Sequence, residues 1–150
     1  MMVGLRGAGG PHPAPMPRGT YDADDLRALI ASGAIASEAA IADEQIQPSS
    51  FDLTLSAEAY RMPGSVLALA GERMRDLIQG LALDRLDLSA GACLARNQVY
   101  LVRLRERFAL PEGAEVYTNS KSSTGRIDLA TRLVADGSTR YDRVPPGFAG

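Results

Sequence analysis

VYTNSKSSTGRI, residues 116–127, sets Asn119, Ser120, Lys121, Ser122, Ser123, Thr124 and Arg126 almost side by side, with Gly125 free to let the backbone turn. Hydroxyls and small-residue backbone amides hydrogen-bond phosphate oxygens, and Lys121 and Arg126 add positive charge. Lysine is a point charge and arginine a flat fork, so the two cations serve different contacts. The stretch therefore reads as an anion or phosphate cradle. Its spacing is not the G-x-x-x-x-G-K-[ST] of a P-loop, which removes that route to nucleotide binding. A solvated polar turn between two strands is the competing structural reading.

The surrounding charge fits a small polyanion. The chain of 150 residues carries a net charge of -2, which gives no ground for nucleic-acid or membrane binding. From Ser120 onward, however, five Lys/Arg (Lys121, Arg126, Arg132, Arg140, Arg143) face three Asp (Asp128, Asp136, Asp142), so the cradle lies in the more basic part. The length corresponds to one domain with a real core. Without tryptophan, and with few aromatics, that core is expected from Leu, Ile, Val and Ala. Cys93 is the sole cysteine, which excludes an internal disulfide and favours a reducing compartment. No apolar run approaches the roughly 18 residues of a membrane span, and no signal-peptide core opens the chain. A cytoplasmic location is the expectation.

Outward from the cradle, the period of hydrophobicity places the elements. Residues 1–20 are rich in Gly and Pro and read as a disordered tail, where His12, the only histidine, lacks a scaffold for catalysis. A helix follows, with Asp22 as cap, Asp25 three residues on, Leu26, Leu29 and Ile30 as its apolar stripe and Gly33 as its stop. In IQPSSFDLTLS (46–56), Phe51, Leu53 and Leu55 alternate with Asp52, Thr54 and Ser56, the pattern of a half-buried strand. Asp52 is unusual there: aspartate is disfavoured in strands, so it either faces outward or makes a specific hydrogen bond. GERMRDLIQ (71–79) predicts a short helix with Met74 as core filler, and LDL (86–88) a strand. Residues 98–111 alternate again, Tyr100, Val102 and Leu104 against a solvated face of Arg103 and Arg105, with Arg107 beyond. IDLATRLVADG (127–137) fits either a strand or a short helix, and residues 139–150 are turn-rich. Short strands, frequent turns and few helices predict a mainly β domain of barrel or jelly-roll type.

The residue inventory also narrows the chemistry. Zinc deaminases and peptidases need clustered His, Cys or Glu ligands. One His and one Cys cannot supply them, nor a Ser-His-Asp or Cys-His pair, and Cys93 reads as a small buried hydrophobe. Any reaction must use carboxylate, Arg, hydroxyl and backbone groups, with a metal carried in by the substrate.

Three segments, IQPSSFDLTLS, SKSSTGRIDL (120–129) and the terminal PPGFAG (145–150), together resemble the dCTP deaminase family of the dUTPase-like superfamily. YDADDLRALIASGAI (21–35) is similar to its opening helix and LARNQVYLVRLRERFALP (94–111) to the strand that enters the cradle. The resemblance spans residues 21–150. It implies a distorted β-barrel with short peripheral helices, assembling as a homo-oligomer (trimer or pseudo-trimer) with sites where subunits meet, and zinc-free conversion of dCTP to dUTP and ammonia. By the same match Lys121 takes the family's phosphate-contacting basic position and Ser122 and Ser123 its serine pair. Arg126 matches the arginine beside the attacking water, which Ser122 helps to position. Asp52 and Gly147 become further candidate contacts. Mg²⁺ would arrive on the triphosphate. The family's general base, a glutamate in the strand after the PGFAG-like turn, has no counterpart: Glu106, Glu112 and Glu115 precede the cradle. The chain therefore reads as the N-terminal part of a longer enzyme, its barrel truncated at the C-terminus. Val144-Pro145 also stands where many relatives carry an Asp, and that role is not transferred to Asp142. Two other functions remain open: dUTP diphosphatase, and a non-catalytic module that binds a nucleotide or another subunit.

Overall fold

The computed structural model describes residues 1–7 and 19–150; His12 falls outside the described residues. In chain order the elements are β1 (Met2–Gly7), β2 (Gly19–Thr20), α1 (Ala23–Ala31), β3 (Ile35–Ser37), a 3-10 turn (Asp43–Gln45), β4 (Ile46–Gln47), β5 (Ser50–Asp52), β6 (Leu55–Met62), α2 (Met74–Leu81), β7 (Asp84–Asp87), β8 (Val99–Leu104), β9 (Glu106–Phe108), β10 (Ala114–Asn119), α3 (Ser122–Gly125) and β11 (Arg143–Val144). The architecture is mainly β, as expected. The strands form three sheets: a six-stranded one in the order β11-β10-β1-β5-β4 with β2 beside β1, the pair β3-β9, and β7-β6-β8. No closed barrel joins them among the described residues.

α1 follows from its caps. Asp22 accepts from the amides of Asp24 and Asp25 while Asp25 reaches back to the Asp22 amide, a complete capping box. Leu26 and Leu29 turn inward, and the chain leaves through Gly33 at φ +79°. These features match the sequence reading.

Five expectations are overturned. The disordered tail does not hold for residues 2–7, which form β1 and pair along their whole length with β10, from Met2↔Asn119 to Gly7↔Ala114. Val3 and Leu5 are fully buried in the core. Gly4 lies under the Tyr117 ring, where a Cβ would sit 2.3 Å from the ring carbon Cζ, so no other residue fits without displacing the ring. The strand over 46–56 is not one alternating run either. Phe51, Asp52 and Leu53 are all buried, the chain leaves strand geometry at 53–54, and Leu55 emerges exposed while Ser56 turns inward. Residues 127–137 are irregular, neither strand nor helix. Cys93 is exposed, not a buried hydrophobe, and Met74 is only half-buried on a helix with no buried residue.

One core serves the six-stranded sheet, α1 and the β3–β9 pair: Val3, Leu5, Leu26, Ile35, Phe51, Phe108 and Val116 meet in it. Residues 148–150 close against β9, with the Phe108 amide donating to the Gly150 carbonyl at 2.7 Å and the Gly150 amide to the Phe108 carbonyl at 2.9 Å. Arg103 and Arg107 are exposed, as read from the sequence, and both pair with Glu38.

Candidate active site

The cradle begins where β10 ends. Lys121 is in extended backbone and precedes the single turn α3, over which the Thr124 hydroxyl donates to the Lys121 carbonyl at 2.7 Å and the Arg126 amide to the Ser122 carbonyl at 3.1 Å. On the far side Ser120 donates to the Thr131 carbonyl at 2.8 Å, and the Thr131 hydroxyl returns a bond to Ser120 Oγ, also 2.8 Å. Ser120 and Thr124 thus fix the backbone. Ser122, Ser123 and Arg126 are exposed, and their side chains make no hydrogen bond or ion pair with the described residues. Ser120 and Thr124 brace the turn, whereas Ser122, Ser123 and Arg126 are available to a ligand. Gly125 has ordinary backbone geometry; the left-handed residue of this loop is Asp128, at φ +54°.

Asp52 joins the cradle from a distant part of the sequence. It is 8% exposed, so the outward-facing reading does not hold, and its Oδ2 bonds Lys121 Nζ. The bridge crosses β1, since Met2 pairs with Asp52 on one side and with Asn119 on the other. Behind Asp52 lies a second buried carboxylate that sequence reasoning missed. Glu106 accepts from the Thr54 amide (2.9 Å), the Thr54 hydroxyl (2.6 Å) and Gln45 Nε2 (3.1 Å), and the same Nε2 donates to the Asp52 carbonyl at 2.9 Å. This network holds the 53–54 break that turns Leu55 outward. Glu106 is therefore spent on structure. Its only sequence signal was a carboxylate among the arginines of an alternating strand.

Asp142 braces the other end, accepting from the Thr118 hydroxyl at 3.0 Å, the Leu133 amide at 2.9 Å and Arg132 at 2.6 Å. Its backbone, at φ +61°, is held by bonds to Thr118 and Leu133. Gly147 has φ +69° in a turn where the Phe148 amide donates to the Pro145 carbonyl, the Pro-Gly arrangement of a type II turn. No bond connects Gly147 to the cradle. Two concavities exist elsewhere, one along β6 and β7 and one of about 420 Å³ lined by Glu115, Ser138, Arg140 and Arg143 among others; cradle residues line neither. Ser122, Ser123 and Arg126 lie at the surface. Among the described residues no group of three or more His, Cys, Asp or Glu could hold a metal, and no helix is long and apolar enough to cross a membrane.

Residues 17–150 match the family model of the 2'-deoxycytidine 5'-triphosphate deaminase (DCD) N-terminal domain. Among solved structures, the 2'-deoxycytidine 5'-triphosphate deaminase of Agrobacterium tumefaciens is similar at 39% identity and a TM-score of 0.84, over 87% of this chain and 39% of that one. The chain thus spans well under half the length of that relative. No curated protein matches it.

Proposed function

Since the chain belongs to the dCTP deaminase family, we propose that the turn from Lys121 to Arg126 receives dCTP with its Mg²⁺ and serves conversion of dCTP and water to dUTP and ammonia. The observation that carries this reading is the division of labour in the turn: Ser120 and Thr124 hold the backbone while Ser122, Ser123 and Arg126 stay unengaged. Lys121 and Ser123 face the phosphates. Ser122 and Arg126 donate to the attacking water, and preorganised donors of this kind stabilise a hydroxide-like nucleophile and the oxygen it forms. The new C–O bond forms at cytosine C4 and the C4–N bond breaks; of the water's two protons one passes to ring N3 and the other leaves on ammonia. Magnesium supplies charge neutralisation on the triphosphate and needs no cage of protein ligands.

Transfer of these protons needs a base. Glu106 has both oxygens engaged by Thr54 and Gln45, Asp52 is ion-paired through Oδ2 with Lys121, and no Asp or Glu among the described residues is bonded to Ser122 or Arg126. We propose that the base comes from further polypeptide, and that the cradle is completed by another subunit in a trimer or pseudo-trimer. The test is product analysis after incubating the enzyme with dCTP and Mg²⁺. Ammonia and dUTP in equal amounts, lost in Arg126→Ala, support deamination; pyrophosphate with a nucleoside monophosphate would instead establish a diphosphatase.

A further inference from the structure

We propose that Asp52 is the positioning residue of the cradle: its buried carboxylate fixes the ammonium of Lys121 where the phosphates of a nucleotide are received. Lys121 is the sole lysine, against fifteen arginines, so a compact ammonium on a flexible stem occurs only at this place in the sequence. Such a stem is ordered only when its head is held. Asp52 holds it through Oδ2, from a strand two positions away in the sheet, a separation of about 10 Å that a lysine can bridge. One N–H of the ammonium is thereby committed and two remain for a ligand.

Comparison of the three inward carboxylates separates Asp52 from structural bracing. Glu106 has both oxygens engaged by Thr54 and Gln45, and Asp142 has both engaged by Thr118, Leu133 and Arg132. Asp52 Oδ1 alone, among the buried side-chain polar atoms of the described residues, has no hydrogen-bond partner. A carboxylate kept for stability would have both oxygens satisfied, because an orphaned buried acceptor is costly. Asp52 tolerates that cost beside the one lysine, at the mouth of the cradle.

The test uses ¹⁵N-lysine labelling, which gives a single ammonium signal. The wild-type signal is expected to show slow exchange with water and an ordered stem, and Asp52→Asn to return it to the rapid exchange of a free lysine. A wild-type ammonium exchanging like free lysine overturns the proposal whether or not the variant folds. So does an ordered ammonium that persists in a folded Asp52→Asn. The second arm rests on the nucleotide reading: Asp52→Asn should weaken dCTP binding about tenfold, the loss of one charge-assisted bond. It should leave deoxycytidine binding unchanged and add nothing in a Lys121→Met background. An equal loss for deoxycytidine would make Asp52 a merely structural residue. An ordered, Asp52-dependent ammonium in a protein that binds no dCTP would uphold the positioning role and refute the nucleotide reading.

Discussion

Glu106→Gln isolates the network that gives the site its shape. The substitution keeps the side-chain volume but turns one acceptor oxygen into an NH2 group. Glu106 receives the Thr54 amide on Oε2, and the Thr54 hydroxyl and Gln45 amide on Oε1. A hydroxyl can rotate to accept, but a backbone N–H cannot, so one orientation of the new amide opposes the Thr54 N–H and the other opposes Gln45. One hydrogen bond to a charged acceptor is lost, worth about 1.5–3 kcal/mol, and a buried donor faces another donor at a further cost of about 1–3 kcal/mol. Allowing for partial relaxation, a loss of roughly 2–4 kcal/mol is expected. Urea unfolding followed by circular dichroism reads it as a lower midpoint at unchanged slope. Because the network sets the 53–54 break and grips the Asp52 carbonyl, binding of dCTP should weaken in the same variant. A stability change below about 0.5 kcal/mol, the range of ordinary surface substitutions, would refute the network as the element that fixes the strand break.

Two other perturbations probe the scaffold. Leu5→Ala should cost about 2–5 kcal/mol, the range for a buried leucine, because Leu5 is 1% exposed in the middle of the six-stranded sheet; an unchanged melting midpoint would mean that β1 is not part of the core. Glu38 is held below the usual carboxylate range by its hydrogen bond to Arg103, and by Arg107. Its folded value lies below its unfolded one, so its contribution to stability is present above the unfolded carboxylate pKa and is lost as pH falls through the folded value. Glu38→Gln should therefore flatten the acid limb of the stability-pH curve and leave the neutral-to-alkaline part parallel to wild type; an unchanged acid limb would contradict this.

What was legible in the sequence was local. The Asp22–Asp25 capping box, the Gly33 stop, β7 and β8 each carry their signal within a few residues, and so do the contiguous hydroxyls and cations of the cradle. β1 was hidden because Val3 and Leu5 give only a short alternation before a Gly/Pro-rich stretch, and their burial depends on β10, more than a hundred residues away. The strand break at 53–54 was hidden for a similar reason. Alternation at 51–56 continues regularly in the sequence, while Glu106, 52 residues from Thr54, imposes the change of face. Asp52 was marked as out of place for a strand, but its partner could not be read, since Lys121 lies 69 residues on. Cys93 misled because its residue type is commonly buried, whereas the 89–98 stretch around it has no element to bury it.

The central claim is that the turn from Lys121 to Arg126 binds the triphosphate of dCTP. Calorimetric titration of the assembled enzyme with Mg²⁺-dCTP tests it most directly, in wild type and in Lys121→Met. Saturable binding to the wild type that weakens at least about tenfold in the variant is expected, as one charge-assisted contact to phosphate is removed. An absence of binding, or equal affinity in the two proteins, would contradict it.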